Sequence, residues 1–443
     1  MATVAAPEPV DRLFLHCREL VTLADGPAAG ARRGKALLEL GIVPDGAVAV
    51  RDGRIVAVGT TADLRRRFRA GEELDLSGFV VLPGFVDCHT HPVFTATREH
   101  EFHQRCSGAD YMAIAAAGGG ILSSMRAVRQ ATAGELAQAV RRHLDGFLVQ
   151  GTTTIEAKSG YGLSTEAEVK SLRVLRDVSR EHALTVSPTF LGAHEFPPEY
   201  RDDREGYVRL VVGEMLPRVK ELCDSCDVFA EPKVFDRVQT VRILSAARSE
   251  GLRLRLHADE IEPMGGAELA VEMGADSADH LQRISEAGQE RLAQSQTVAV
   301  FLPGTSFLLG KNVHPPARAM LERGCAVALA TDFNPGTCFS QSMPAVITLA
   351  CVNLKMGIAE CIHAATLNAA ASLHLDRDLG SLHPGKRADF VVLDLPSHEA
   401  LGYAFAGNPV ALTVKDGVPV VANIAEFEPD LAPATEPEDA PGA

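Results

Sequence analysis

Short apolar runs that end in polar residues recur through the middle of the chain, with longer helical stretches between them. Eight such runs can be counted, and they end near His91, Lys158, His194, Lys233, His257, His280, Pro303 and Asp332. Alternating strands and helices of this kind form a parallel sheet, and eight units suit a closed (β/α)₈ barrel of about 250 residues or more. The pattern therefore predicts an α/β protein with a TIM-type barrel over residues 83–379.

The segments on either side of the predicted barrel have a different pattern. Two alternating apolar runs flank Asp52-Gly53, which is a signal for a β-hairpin. Similar runs return at residues 388–394 and 413–421. We predict that residues 1–82 and 380–425 together form one small β-sandwich domain into which the barrel is inserted. The tail, residues 426–443, is rich in Pro, Glu and Ala and is predicted to be disordered.

The charge and cysteine content limit the partners and the compartment. The chain has 58 acidic and 43 basic residues, a net charge of -15 that would repel nucleic acid and anionic membrane surfaces. No apolar run is long enough to span a bilayer, and the first residues lack the basic start of a secretory signal. Nine cysteines without a spaced framework predict reduced thiols in a cytoplasm. Cys223 and Cys226 form a lone CxxC, which we interpret as packed or surface thiols.

Three histidines and one aspartate lie at the ends of three of the predicted strands. His89 and His91 are two residues apart, so they share a face of the first barrel strand and can chelate one metal ion together. This motif alone is weak, because two surface histidines would give the same pattern. His257 and Asp332 end two further strands, and three histidines with a carboxylate suit zinc, ferrous iron or ferric iron. The sequence therefore predicts a metal site.

A metal site of this composition predicts hydrolysis. A bound metal ion lowers the pKa of water from about 15.7 towards 7, which makes a nucleophile available at neutral pH. Asp332 is a candidate base for the proton of that water, and His280 could orient the water or polarise the attacked carbonyl. The alternative for His280 is a structural histidine whose hydrogen bonds are satisfied within the core.

The motifs resemble those of a known superfamily and of one family within it. The HxH pair, the fifth-strand histidine and the eighth-strand aspartate are similar to the amidohydrolase pattern. Four longer stretches resemble the imidazolonepropionase family and cover residues 156–162, 190–194, 256–260 and 330–337. The resemblance spans nearly the whole chain, although the run at residues 380–389 is shared across the superfamily and separates no substrates.

The resemblance implies an activity and a set of site residues. The activity is hydrolytic opening of the ring of 4-imidazolone-5-propanoate to N-formimidoyl-L-glutamate in histidine degradation, with water as the only cosubstrate. One zinc or iron ion, divalent or trivalent, is implied per subunit, with the ligands His89, His91, His257 and Asp332. The implied substrate contacts are Arg98, Tyr161, His194, Glu260, Asn334, Gly336 and Thr337.

Chemistry supports this division of roles. Arg98 could bind the carboxylate tail of the substrate as a fork, with Tyr161 adding a hydroxyl donor. Glu260 lies three residues past a ligand and could exchange a proton with a ring nitrogen, so it joins Asp332 and His280 as a candidate catalytic residue. On spacing alone, Arg98 could instead be a solvated loop charge, Tyr161 a core aromatic and Asn334 a turn former before Pro335.

Several alternatives stay open. Lys233 ends the predicted fourth strand, where binuclear amidohydrolases carry a carboxylated lysine that bridges two metals; we prefer one metal because Lys233 is not part of the resembling pattern. The rival activity is that of a cytosine-type or guanine-type deaminase, and the rival class is a non-catalytic binding protein. A homodimer is suggested by fold analogy alone. Strand parity also predicts a buried ion pair between Asp87 and Arg255 beneath the metal.

Overall fold

The computed structural model of the protein describes residues 6–108 and 119–430. Sixteen strands lie in these ranges. The strands are β1 Glu8–Val21, β2 Ile42–Arg51, β3 Arg54–Thr60, β4 Phe68–Asp75, β5 Val80–Pro83, β6 Phe85–Asp87, β7 Thr152–Lys158, β8 Thr185–Ala193, β9 Ser225–Ala230, β10 Arg253–Ala258, β11 Ser277–His280, β12 Val298–Phe301, β13 Val327–Leu329, β14 Phe390–Leu393, β15 Val410–Lys415 and β16 Val418–Ala422.

Fifteen α-helices lie in the same ranges, most of them between barrel strands. They are α1 Thr61–Arg67, α2 Glu99–Cys106, α3 Ile121–Gln130, α4 Ala133–Val149, α5 Thr165–Glu181, α6 Arg204–Leu210, α7 Leu216–Val219, α8 Arg237–Ser249, α9 Gly266–Glu272, α10 Glu286–Ala293, α11 Pro303–Leu308, α12 Ala317–Glu322, α13 Met343–Asn353, α14 Ile358–Ala364 and α15 Leu367–Ser372. None of the described helices is both long enough and apolar enough to cross a membrane.

The predicted barrel is confirmed. Strands β6 to β13 form one parallel sheet in chain order. Just beyond the ends of its first and last strands, Thr90 bridges Phe333, the N–H of Asp332 donates to the carbonyl of His89 (3.1 Å), and the N–H of His91 donates to the carbonyl of Phe333 (2.8 Å). The two edges of the sheet therefore meet at the candidate metal ligands.

The small β domain is confirmed as a composite of both ends of the chain. Its strands follow the order β16-β15-β14-β5-β1-β2-β3, with β4 added to β1. Val48 of β2 and Leu412 of β15 belong to one buried cluster, so the sheet curls around its own core as a sandwich does. The predicted hairpin is also present: Asp52 (φ 51°) and Gly53 (φ 71°) join β2 to β3 with the positive φ angles of a tight hairpin turn.

The chain passes from one sheet to the other at Gly84, between β5 and β6. A Cβ at Gly84 would lie 2.4 Å from side-chain atoms of Thr153, so strand β7 lies too close to this position for any other residue.

The first residues of the predicted C-terminal tail are ordered rather than disordered. Residues 425–430 form a short 3₁₀ helix, and the buried Phe427 ring packs against Phe79 with centroids 5.1 Å apart. The rest of the predicted tail, residues 431–443, lies outside the described residues.

The predicted ion pair between Asp87 and Arg255 is wrong. Both oxygens of Asp87 accept hydrogen bonds from Thr331, one from its backbone N–H (3.1 Å) and one from its hydroxyl (2.5 Å). Burial raises the pKa of Asp87 to about 7, so this carboxyl has little need of a cation. Arg255 instead reaches the Asp279 carboxylate at 3.7 Å and donates to the carbonyls of Cys88 and Ser372. Strand parity correctly placed both side chains inside the barrel, but Arg255 pairs with Asp279 on the adjacent strand β11 instead of with Asp87 on β6.

Candidate active site

Four predicted metal ligands converge at the carboxyl end of the barrel. The Nε2 atoms of His89 and His91 lie 3.3 Å apart, and Asp332 Oδ1 lies 3.6 Å from the first and 3.4 Å from the second. The ring of His257 lies 4.6 Å from the ring of His89, centroid to centroid. All four side chains are buried. The structure therefore brings together residues that are up to 243 positions apart in the chain.

Local backbone geometry aims these side chains at one point. Thr90, between the two histidines, faces the other way and donates its hydroxyl to the carbonyl of Glu156 (2.6 Å). Asp332 adopts a left-handed backbone conformation (φ 54°), as does His280 (φ 78°). Such conformations are unfavourable for side-chain-bearing residues and concentrate at functional sites. The Thr305 hydroxyl then fixes the carboxylate of Asp332 by donating to Oδ2 at 2.5 Å.

Two of the histidines are each held from behind by a buried aspartate. His89 Nδ1–H donates to Asp279 Oδ2 (2.7 Å), which leaves the Nε2 lone pair facing His91 and Asp332. His257 Nδ1 lies 3.0 Å from Asp227 Oδ2. Carboxylates in this position fix the tautomer and orientation of metal-binding histidines. The arrangement leaves the outer nitrogen of each ring directed at the common centre.

A buried cation stands behind each of these aspartates. Lys158 Nζ lies 2.8 Å from both Asp227 Oδ2 and Glu156 Oε1, and all three side chains are fully buried. Arg255 faces Asp279 in the same way. Burial works against the charge of Lys158, yet Asp227 and Glu156 outweigh it and raise its pKa. Lys158 is therefore held as a charged group inside the barrel.

The same network sets the protonation of the candidate ligands. Burial, followed by the charge of Lys158, lowers the pKa of His89 well below its ordinary value. Burial opposes a charge on His257 too, but Asp227 raises its pKa. For Asp332, burial is the largest single influence and would raise the pKa. The hydrogen bond from His91 and the nearby His280 together outweigh it and lower the pKa to about 2. Asp332 is thus a carboxylate at neutral pH.

The residues fit a small metal ion. Within the described ranges, His89 with His91 and Asp332, and His89 with His257 and His280, place ligand atoms within 4.8 Å of one another. Tetrahedral zinc with bonds of about 2.0–2.1 Å to nitrogen needs neighbouring ligand atoms about 3.3 Å apart. The separations of 3.3–3.6 Å among His89, His91 and Asp332 match this requirement. A cation between them would also remove the electrostatic repulsion among the facing lone pairs of these nitrogen and oxygen atoms.

These side chains open into a cavity of about 670 Å³. The predicted site residues on its wall are His91, Arg98, Tyr161, His194, His257, Glu260, His280, Asp332, Asn334 and Thr337. Glu260 Oε2 lies 3.7 Å from His280 Nε2. Burial and the nearby Asp332 carboxylate raise the pKa of Glu260 to about 7, whereas burial lowers the pKa of His280 to about 3. Glu260 is therefore tuned to take up and release a proton near neutral pH.

His194 and Tyr161 form one side of the cavity. His194 Nδ1–H donates to the carbonyl of Gly160 (3.0 Å), and burial lowers its pKa well below the ordinary value. The imidazole is neutral, and its Nε2 is left as a hydrogen-bond acceptor. The ring stacks on His91 at 5.3 Å and lies 5.3 Å from the Tyr161 ring. This side can thus accept a ring N–H from a flat ligand.

The turn at residues 334–337 uses its polar groups on itself. The Asn334 side chain donates to the carbonyl of Asp332 (2.6 Å) and accepts from the backbone N–H groups of Gly336 (2.9 Å) and Thr337 (2.7 Å). Asn334 is therefore a turn former as well as a wall residue. Gly336 does not reach the wall; it packs against Arg98 instead. The substrate-contact role of these residues stays a prediction.

The position of Lys233 corrects the sequence-based strand end. Strand β9 stops at Ala230, and Lys233 lies in the turn that follows at the cavity rim. Its side chain is 80% exposed and pairs with Glu262. A lysine that bridges two metals would have to lie among the histidines, so this position favours the mononuclear alternative.

Cys223 and Cys226 are buried thiols whose sulfur atoms face the carbonyls of Val219 and Asp227.

Sequence reasoning missed the residues that support the site. Three of these residues lie in buried strands, and the sequence of a strand does not indicate which charged groups its side chains will contact. They are Asp227, Asp279 and Lys158, of which only Lys158 was noted, as a strand end. Glu101 lies in α2 and Thr305 in α11, and both could have been found only from the geometry. Two further cations on the rim, Arg201 and Arg204, were also missed.

Comparison with known proteins places this barrel and its histidine cluster in a class of hydrolases. The sequence profile of the amidohydrolase family matches residues 80–420, and that of an imidazolonepropionase-like composite domain of bacteria matches residues 46–70. Among solved structures, a zinc-bound adenosine deaminase of Xanthomonas campestris (TM-score 0.72, 20% identity, 94% of each chain) and the guanine deaminase of E. coli (TM-score 0.73, 16% identity, 93% of this chain and 100% of the other) share the fold.

Curated relatives narrow the class. The imidazolonepropionase of Symbiobacterium thermophilum is 48% identical over 415 residues, which cover 92% of this chain and 97% of the relative. That of Solibacter usitatus is 50% identical over 402 residues, covering 90% and 96%. The chain therefore belongs to the imidazolonepropionase family of the amidohydrolases. Membership of this family, together with the histidine and aspartate cluster, supports a metal cofactor.

Proposed function

We propose that the protein hydrolyses 4-imidazolone-5-propanoate to N-formimidoyl-L-glutamate. One observation carries the proposal: a single cavity holds the clustered His91, His257 and Asp332 together with the guanidinium of Arg98. The first group suits the ring carbonyl and the second suits a carboxylate tail, which are the two ends of this substrate. The curated relatives are named for this activity, and the match to this chain covers nearly their whole length.

One zinc or iron ion is proposed per subunit, held by His89, His91, His257 and Asp332. When bound, the ion would polarise the ring carbonyl and lower the pKa of a water molecule. The donor set of three imidazoles and a carboxylate suits either metal. Asp279 and Asp227 would keep the rings of His89 and His257 aimed at it.

The chain's own groups manage the protons of the reaction. Water adds to the ring carbonyl carbon, the adjacent C–N bond breaks, the carbon becomes a carboxylate and the nitrogen gains a proton. Asp332, a carboxylate at neutral pH, would take the proton from the attacking water. Glu260, with a pKa of about 7, would hand a proton to the departing ring nitrogen, and His280 beside it would orient the water or the carbonyl.

The remaining wall residues would bind and orient. The acceptor Nε2 of His194 suits a ring N–H, and Arg98 with Tyr161 suits the carboxylate tail. Asn334 and Thr337 would close the cavity beside Arg98. A closed wall limits access of bulk water, and it holds the ring at the reacting groups.

Deamination of a purine or pyrimidine base is the second candidate. The two deaminases named above share the fold at 20% identity or less, which carries no statement about substrate. A bare base would give Arg98 no carboxylate to bind. The buried guanidinium on the cavity wall is the specific feature that favours the substrate with a tail.

Product analysis tests the proposal. The zinc-loaded or iron-loaded protein is incubated with freshly made 4-imidazolone-5-propanoate, and loss of ultraviolet absorbance is followed with mass spectrometry of the product. We expect N-formimidoyl-glutamate, loss of turnover on chelation with recovery on adding metal, and a fall in kcat of about 10²–10⁴-fold in Asp332→Asn. Release of ammonia from a nucleobase, with no ring opening, would replace this proposal by the deaminase.

A further inference from the structure

Arg98 is held in place by a buried carboxylate that has no assigned role. Glu101 Oε2 accepts a hydrogen bond from Nε of Arg98 at 3.0 Å and forms an ion pair with Nη2 at the same distance. The two residues are 5% and 1% exposed. Glu101 Oε1 accepts the backbone N–H of Gly120 (2.8 Å), and the exposed His100 lies 4.0 Å from the same oxygen. Both oxygens of Glu101 are thus engaged, and Oε2 holds the guanidinium of Arg98 in one orientation.

The guanidinium also packs against the turn at residues 334–337. A Cβ on Gly336 would lie 2.1 Å from Cζ of Arg98, so the guanidinium rests against the glycine. The backbone N–H of Arg98 donates to the carbonyl of Pro335, and Arg105 Nη2 donates to the carbonyl of Gly336, each at 3.0 Å. Helix α2 and this turn therefore clamp Arg98 between them.

The clamp leaves part of Arg98 available. A guanidinium carries five N–H donors in a rigid plane, and Glu101 accepts the hydrogen bond of Nε and pairs with Nη2 on the same edge. The pair Arg98 and Glu101 has no net charge, so a carboxylate ligand would gain little from bulk electrostatic attraction. Its binding would depend on the direction of the remaining N–H groups instead. A residue that sets this direction would then govern recognition of the tail.

We propose that Glu101 is a positioning residue that, with Gly336, orients Arg98 so that its free edge binds the carboxylate tail of the substrate. The inference rests on the proposed function and deepens it, since it names what selects substrates with a tail. Glu101 touches neither the ring nor the metal ligands. Its loss should therefore weaken tail recognition while the ring-opening machinery stays intact.

The test compares substrates with and without the tail. Glu101→Gln keeps the size of the side chain but replaces one acceptor oxygen by a donor, and Glu99→Gln on the same helix is the matched exposed control. Kinetics are measured with 4-imidazolone-5-propanoate and with an analogue in which an ethyl group replaces the propionate. For Glu101→Gln we expect KM for the first to rise about 10- to 100-fold with kcat within about threefold, and the ethyl analogue to be unaffected.

A binding measurement separates this inference from the proposed function. Imidazole-4-propionate carries the same tail and needs no turnover, and 4-ethylimidazole lacks the tail. Calorimetry should give a weaker Kd for the first in Glu101→Gln and an unchanged Kd for the second. This result would stand even if the protein opened no imidazolone ring, which is the outcome that would overturn the proposed function.

Three results would overturn the inference. Equal losses on both substrates would show a general structural role for Glu101. A further loss when Glu101→Gln is added to Arg98→Gln would show that Glu101 acts apart from Arg98. Loss of tail preference in Arg204→Gln, with none in Arg98→Gln, would move the tail to the rim. If Glu101→Gln does not fold, Glu101→Asp serves in its place, since it retains the charge but is too short to reach both partners.

Discussion

The two ends of the cavity are built from different kinds of support. At the metal end, His89 and His257 stand at strand ends, and a row of buried charges behind them belongs to the neighbouring strands. At the tail end, Arg98 immediately precedes helix α2 and Gly336 lies in a turn, and a few side-chain and backbone contacts hold them. The metal end is part of the barrel wall, whereas the tail end is attached to it.

This difference separates chemistry from selection. Strand-borne side chains are fixed by the sheet and by the buried network, so changes there should cost stability and metal affinity together. Loop-borne side chains are fixed by a few hydrogen bonds, so changes there should alter substrate binding with little effect on the fold. The variants below test whether the two ends respond in these separate ways.

The largest effect is expected from Lys158→Met. This change leaves Glu156 and Asp227 as buried carboxylates without their cation, and breaking a buried pair in this way costs about 3–5 kcal/mol. Urea unfolding of the chelator-treated protein measures the loss. Lys233→Met is the control, because its pair with Glu262 is exposed to water and should contribute little to stability. Similar losses in both variants would show that the buried row does not support the metal end.

A smaller effect is expected from Asp227→Asn and Asp279→Asn. Each removes the charge that orients one candidate metal ligand while its shape is kept, and such changes cost about 10- to 100-fold in metal affinity. Competition with a chromophoric zinc chelator measures the affinity directly. Asp224→Asn, at the exposed start of β9, is the matched control and should bind zinc as the unaltered protein does. Unchanged affinity in both buried variants would contradict the proposed ligand set.

The same division explains what could be predicted from the sequence. The barrel and its candidate ligands could both be predicted from apolar runs that end in polar residues, because strand ends meet at one edge of the barrel. These residues are His89, His91, His257 and Asp332. The partners of buried charges are harder to predict. Parity places Arg255 inside the barrel but does not choose between Asp87 and Asp279, and that choice depends on which neighbouring strand has unsatisfied oxygens.

The tail end was less predictable still. Arg98 was found through its resemblance to a family pattern and not from periodicity. Glu101 gave no signal, because an acidic residue in the first turn of a helix is ordinary on dipole grounds alone. Asn334 satisfies both interpretations made for it, since it forms a turn and lines the cavity. Loop geometry decides such cases, and it is set by contacts between distant segments.

An effect confined to substrate binding is expected from Gly336→Ala. The added Cβ would lie 2.1 Å from the Arg98 guanidinium carbon, so the arginine must move. We expect KM for the tailed substrate to rise about 10-fold, a loss typical of one charged hydrogen bond, with little change in the urea midpoint. Gly134→Ala, where a Cβ meets nothing within 4 Å, is the control. A fall in stability or zinc content in Gly336→Ala would break the proposed separation of the two ends.

The smallest effect is expected at the rim. Arg201 and Arg204 are exposed there, on a chain whose net charge of -15 repels an anionic substrate. Arg201→Gln should lower kcat/KM about two- to threefold at 10 mM salt, because local cations steer anions, and the difference should vanish near 1 M salt, where screening acts within about 3 Å. Arg173→Gln, exposed on α5 and away from the cavity, should change nothing. A loss in Arg201→Gln that persists at high salt would instead mean direct contact with the substrate, and the tail end would then extend from Arg98 to the rim.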